Sequence, residues 1–316
     1  MPQILYTNIQ TGVTQDITTL CKSAVWKTKR VGSPGQADLS LAPDAGVSIV
    51  EGGVIWLRED NTGLFKGYVF KRTHNDKGEA TLTAYDQMRY LKNKDTYVFE
   101  GQRADQITAQ IAADFGIKTG ALENTGYVIP QLVEDSQTLF DIILKALDLT
   151  LINAKRLYYL WDDYGSLRIS DTAKTAIGLV VGDGSLVTAY TYTSDIDSDT
   201  YNKIKLIKDN KTTGKREVYI VQDGDSMRAW GTLQNYESVA EEMNEAQIEA
   251  MADPLLELKN RPKKTFDITA LAELSVRAGR SVKIRIADIG INGWYIIDEC
   301  SHDLLKGTMT LKVVIA

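Results

Sequence analysis

With 316 residues, 43% of them hydrophobic and 25% charged, the chain has an ordinary globular balance and enough length for two or three cores. Its 36 Lys and Arg stand against 42 Asp and Glu, a net charge of -6, which argues against a surface built to hold phosphate and predicts no stable nucleic-acid binding. The two cysteines, Cys21 and Cys300, are far apart and lack metal-ligand or redox spacing, so they read as packed thiols of a protein made in a reducing cytosol.

"MPQILYTNIQ" has no basic region followed by an apolar run, and no segment approaches the eighteen or so apolar residues of a membrane span. The expectation is a soluble protein without an export signal. The first stretch reads as short strands separated by turns. In "VSIVEGGVIWLRED" Val54 and Trp56 oppose Ile55 and Leu57, so both faces carry apolar residues. "EDNTG" is a turn, and "LFKGYVFKR" a strand with Gly67 inside it, of the kind that marks a bend or bulge. "NDKG" turns again into the strand "EATLTAYD".

Composition then shifts. "TYVFEGQRADQITAQIAADFGI" predicts a short strand and a helix with Ile107, Ile111 and Phe115 on one face and Gly116 as its stop. "SQTLFDIILKALDL" predicts a second helix capped by Asp135 or Ser136, and "RLYYLWDDYGSLRIS" a hairpin. Strands return at "YNKIKLIKD" and "KREVYIVQD". The polar run Tyr236–Lys259 has helical spacing at Val239, Met243 and Ala246, with a kink or break expected at Pro254. "RSVKIRI" and "TMTLKVVI" close the chain as strands with one apolar face each.

A repeat lies under this order. Gly53 stands fourteen residues before Gly67, and Gly279 fourteen before Gly293; the later glycines are followed by Tyr68 and Trp294. Next come the two histidines of the chain, His74 and His302, then Gly78 and Gly307, then strands in which Leu82 and Leu311 each sit four residues after the glycine. Two copies of one β-barrel subdomain, each in its own sheet, fit this spacing. Two unrelated hairpins with shared turn chemistry are the alternative.

Sharper chemistry finds little footing. Asp195, Asp197 and Asp199 have the opening spacing of a calcium loop without its glycine or closing Glu, so no metal is expected. "VGDGS" lacks the Lys of a phosphate loop, and no cofactor is expected. Asp162 and Asp163 could form a glycosidase pair but, as neighbours on a hairpin, should point apart. No nucleophile has a recognisable base beside it, so no catalytic residue is assigned. Glu237, Glu241, Glu242, Glu245 and Glu249 form a solvated face or a dock for a basic partner.

"AYDQMRYLKN" followed by "FEGQRADQITAQIAADFGI" resembles the baseplate hub proteins of contractile phage tails and phage-tail-like bacteriocins, the group typified by the defective prophage of Gram-positive bacteria. So do "WGTLQNYESVAEEMNEAQIEAMADPLLELKNRP", "RAGRSVKIRI" and "INGWYIIDECSHDLLKGTMTLKV", in the same order over nearly the whole chain. Where the family often has Thr, Arg103 precedes Ala104, which removes a side-chain cap. The resemblance implies an α+β protein: two similar tail-tube-like β-barrels, residues 1–95 and 191–316, an inserted α/β domain at 96–190, and a helical insertion at 236–260 within the second barrel. It also implies a non-enzymatic structural part of the virion, assembled in the host cytoplasm as a homotrimer that joins tail tube to spike beside other baseplate proteins. In isolation a monomer or weak trimer is expected. A baseplate-associated peptidoglycan hydrolase is the alternative.

Overall fold

The computed structural model describes residues 2–43, 46–60, 62–76, 78–182, 184–210, 214–239, 241 and 243–315. The N-terminal strands are β1 (Gln3–Thr7), β2 (Thr14–Asp16), β3 (Cys21–Lys29), β4 (Gln36–Leu41), β5 (Val54–Glu59), β6 (Thr62–His74) and β7 (Ala80–Tyr85). Then follow β8 (Lys94–Arg103), α1 (Ala104–Asp114), β9 (Thr119–Leu122), β10 (Val128–Thr138), α2 (Leu139–Ala154), β11 (Tyr158–Asp162) and β12 (Leu167–Asp171). The remainder is β13 (Ala176–Gly182), β14 (Val187–Asp195), β15 (Lys203–Asn210), β16 (Lys215–Gln222), α3 (Gly224–Trp230) and β17 (Gln234–Ser238). α4 (Glu245–Lys259), β18 (Lys263–Leu271), β19 (Ser281–Ile286), β20 (Ile291–Asp303) and β21 (Thr308–Ile315) end it.

Alternating apolar residues dictate the large sheet. Ile55 and Leu57, Leu82 and Ala84, Val282, Ile284 and Ile286, and Met309, Leu311 and Val313 all point inward and are buried. The sheet runs β14-β18-β21-β20-β3-β4-β7-β6-β5-β1-β2, with β19 on β20 and β13 on β19. Two hydrophobic cores sit along it, one gathered from β1 and β3–β7, the other from β13 and β18–β21. The two copies are therefore not in separate sheets, as the spacing suggested: β3 pairs along the far half of β20 and joins them. β19 covers only Ile291–Ile296 of β20, which leaves the rest of that edge open to β3.

β13 and β14 pair into the large sheet, so the inserted lobe ends before Ala176 rather than at 190. That lobe packs α1 and α2 against β8, β10, β11 and β12 around Ile107, Ile111, Phe140 and Ile143. α2 is capped by Thr138, whose hydroxyl accepts from the Asp141 N–H at 3.1 Å, and not by Asp135 or Ser136. At α1, Arg103 supplies no side-chain cap, but Gln106 Oε1 accepts the Arg103 N–H at 3.0 Å.

The helical insertion is shorter than its sequence pattern. Residues 234–238 form β17, and α4 starts at Glu245 behind an Asn244 cap, so Val239 and Met243 precede the helix. Its buried stripe is Ile248, Ala252 and Leu255, which packs on β15 and β16. That stripe carries the helix through Pro254 without a break, although proline removes one backbone donor.

Candidate functional site

The repeated unit is five strands deep. β3-β4-β7-β6-β5 and β14-β18-β21-β20-β19 pair in the same order, all antiparallel. Each unit skips a residue at two matching places. Lys22 and Thr188 fall out of the β3–β4 and β14–β18 ladders, and Phe70 and Asp298 out of β6–β7 and β20–β21. Counted from these bulges, His74 matches His302, Asp38 matches Asp267, and Leu82 matches Leu311. Bulges re-aim a strand at a fixed point, so their coincidence fixes the register of the repeat more firmly than residue identity.

Ladder positions revise part of the glycine pattern. Gly52 and Gly279 are the matched pair: their N–H groups donate to Val69 and Ile297 carbonyls, each at 2.8 Å, and both have positive φ, 79° and 89°. Gly53 matches Arg280 instead. Gly67 lies opposite Ile55 whereas Gly293 lies opposite Ile284, two rungs further on, so Gly67 matches Tyr295 and Tyr68 matches Ile296, not Trp294. A two-residue slip keeps every side chain on its own face, which is why spacing alone could not see it. Gly78 and Gly307 both hold positive φ in the hairpin turns that follow the histidines.

Matched position does not mean matched environment. His74 is exposed, while His302 is 1% exposed because β3 lies beside it. Its ring stacks on Trp26 with centroids 5.2 Å apart. His302 Nε2 donates to the Val276 carbonyl at 2.8 Å and stands 3.1 Å from Cys300 Sγ. This cysteine-histidine contact, invisible in the sequence, is not an activated nucleophile. The Nε2 proton is already committed to Val276, and burial pushes the Cys300 thiol up and the imidazole down, so both stay neutral.

Along the same joint, Lys29 Nζ pairs with Glu299 at 3.0 Å and Arg30 with Asp298 at 2.8 Å. The outer face here is a trough of about 500 Å³ across β14, β18, β21, β20 and β3. One row across it reads Lys29, Glu299, Lys312, Asp267, Thr191, alternating in sign. Opposite charges stand on neighbouring strands, and Lys29 with Glu299 closes an ion pair, so this face is mixed in sign.

A second joint ties the inserted lobe to both units. Arg277 donates to the Asp162 carbonyl at 2.9 Å, and its guanidinium lies 4.4 Å from the Trp161 ring centroid and 5.9 Å from that of Trp26. Asp86 Oδ2 accepts from the Gly35 N–H at 2.8 Å and its Oδ1 from the Met88 N–H at 2.9 Å. Burial, then the nearby Asp162 charge, raises the Asp86 pKa well above the usual carboxylate range; burial likewise raises Asp162. Asp163 turns away to pair with Arg168 at 2.7 Å, so the two neighbouring carboxylates do not share a site.

The remaining sequence candidates disperse. Asp195 caps its own turn through the Asp197 N–H at 2.7 Å, and Asp199 pairs with Lys259 at 2.6 Å. Among the described residues no cluster of three or more metal-ligating side chains forms. Glu237 is on β17, Glu241 in the following turn, and Glu245 and Glu249 are exposed on α4; Glu242 lies outside the described residues. The five glutamates thus do not form one helical face. No helix is long and apolar enough to cross a membrane among the described residues.

A family model described as YQBQ-like matches residues 24–315. The chain belongs to the YQBQ-like family. It is 37% identical over 273 residues to the phage-like element PBSX protein XkdQ of Bacillus subtilis, with 84% of this chain and 82% of that protein covered. A second Bacillus subtilis relative, the uncharacterized protein YqbQ, is 36% identical over 275 residues, with the same coverage of both chains. In fold it is similar to the 43 kDa tail protein of prophage MuSo2 from Shewanella oneidensis, with a TM-score of 0.73, 15% identity, and 99% and 98% of the two chains covered. Prophage tail protein gp18 from Listeria monocytogenes gives a TM-score of 0.63 at 11% identity, over 99% and 94% of the chains. The mostly β fold is that of prophage tail proteins.

Proposed function

We propose that this protein is a baseplate hub of a contractile phage tail or phage-tail-like bacteriocin, a ring of three chains that joins the tail tube to the central spike. The observation that carries this reading is the five-strand unit built twice in one chain with the same bulges. Three chains then present six near-equivalent units about one axis, which lets a three-fold spike meet a six-fold tube. Duplication within the chain is what reconciles the two symmetries.

A face mixed in sign suits the wall of a channel through which a polyanion such as DNA slides. Lys27, Lys29 and Lys312 are interleaved with Asp267 and Glu299, so this face has no continuous basic strip on which phosphate could settle. Nothing in the site favours a peptidoglycan hydrolase: Asp162 is buried in a structural joint and the cysteine-histidine contact is neutral. Native mass measurement of baseplates released from the particle should give three copies of this chain, while the isolated chain at low concentration should be a monomer or a weak trimer. Six copies, or lysis of peptidoglycan by the purified chain, would count against the hub.

A further inference from the structure

In the chain itself, β20 of the second unit is covered by β3 of the first, whereas among the described residues the matching edge of β6 carries no strand beyond Tyr68. At one end of the path, β14, which matches β3, pairs among the described residues on one side alone, with β18. Directions alternate through the eight strands from β14 to β6, so β14 of a second copy would meet β6 antiparallel and continue the alternation. The in-chain joint then supplies the register for the joint between copies.

Within the chain Glu299 faces Lys29, Ser301 faces Lys27 and His302 faces Trp26. By the matched bulges these become Lys71 facing Asp195, Thr73 facing Thr193 and His74 facing Tyr192. The bulge contact Asp298 with Arg30 becomes Phe70 with Ile196. Each transferred pair is complementary by its own chemistry. The ion pair is kept with its signs exchanged, the ring stack is kept as imidazole on phenol, and the second ion pair becomes an apolar pair. Phe70 is 38% exposed and His74 exposed in the single chain, as partners awaiting cover should be.

We propose that copies of this chain join head to tail by antiparallel pairing of β6 with β14 of the next copy, with Lys71 opposite Asp195, Thr73 opposite Thr193 and His74 opposite Tyr192. The occupant of each open edge is a second copy of the same protein. This joint rests on the ring reading above and adds its register. Heterologous pairing of this kind closes a ring when the rotation allows and removes the exposed edges that would otherwise invite aggregation.

The test is zero-length carbodiimide coupling of the native particle, followed by peptide mass spectrometry. A Lys71–Asp195 link is expected, and since β6 and β14 stand seven ladders apart in one chain's sheet it reports contact between copies. In parallel, Lys71→Glu should raise the concentration for half-assembly by about tenfold, as should Asp195→Lys, and the doubly exchanged chain should recover it. Lys71 is exposed, so circular dichroism of the free Lys71→Glu chain should not change; Asp195 is half-buried and caps its own turn, so the weight of the charge reversal rests on Lys71→Glu and on the link. A ring of three that lacks the link and ignores both charge reversals would overturn the joint while leaving the hub. Copies that form no ring in the particle would overturn both.

Discussion

Gly279→Ala should destabilise the fold far more than Gly293→Ala, although both glycines stand in one repeat by spacing. Gly279 has φ of +89°, and an added Cβ would lie 2.0 Å from Cδ2 of Tyr159, a ring 2% exposed. Left-handed backbone costs an alanine about 1–2 kcal/mol, and forcing a methyl against a packed ring about 1–3 kcal/mol. Stiffening the unfolded chain returns about 0.4–1 kcal/mol. The net loss is about 1–4.6 kcal/mol, which for 316 residues unfolding together lowers Tm by roughly 1.5–7 °C. At Gly293 the nearest atom to a new Cβ is Tyr295 Cε2 at 3.6 Å, ordinary contact, so Gly293→Ala should fall within about 0.5 kcal/mol of the native chain. Denaturant unfolding followed by tryptophan fluorescence and near-ultraviolet dichroism separates the two. Equal losses, or a stable Gly279→Ala, would refute the ladder assignment of the glycines.

Leu82→Ala and Leu311→Ala, at matched and buried rungs of the two units, should each cost about 2–5 kcal/mol in the same unfolding measurement. Cys21 should alkylate slowly at pH 8, since burial, then the nearby Asp16 charge, pushes its thiol up to about 11, and Cys300 should react only on unfolding. Asp86 holds a proton more tightly folded than unfolded, so its contribution to stability should fall as pH rises from about 4 toward its raised folded pKa. Asp86→Asn, which keeps an acceptor for Gly35 or Met88, should flatten that fall in unfolding curves measured between pH 4 and pH 7.

Most strands and the first two helices were legible because apolar periodicity and turn residues act locally. Ile107 and Ile111, Leu139 and Ile143, and Val282 and Ile284 go to cores as their spacing requires. What failed were features set at a distance. β3 joining β20 depends on an open edge some 270 positions away in sequence, as the Lys29–Glu299 pair shows, and no local pattern encodes it. Pro254 reads as a breaker until Ile248, Ala252 and Leu255 are seen packed on β15 and β16. The glycine register slipped because period-two alternation is unchanged by a shift of two. The histidine pair was legible because each is followed by a left-handed glycine turn, yet only its structural surroundings separate exposed His74 from buried His302. Asp195 stood out in the sequence only as a calcium-loop carboxylate and Phe70 not at all, since the pairing proposed for them rests on matched bulges.

Three-dimensional reconstruction of the intact particle, at the layer between tube and spike, tests the central claim most directly. The hub reading predicts three copies of this chain, their six five-strand units spaced about the axis in near-six-fold register. Six copies contributing one unit each, or a layer in which the two units of a chain take unrelated positions, would contradict it.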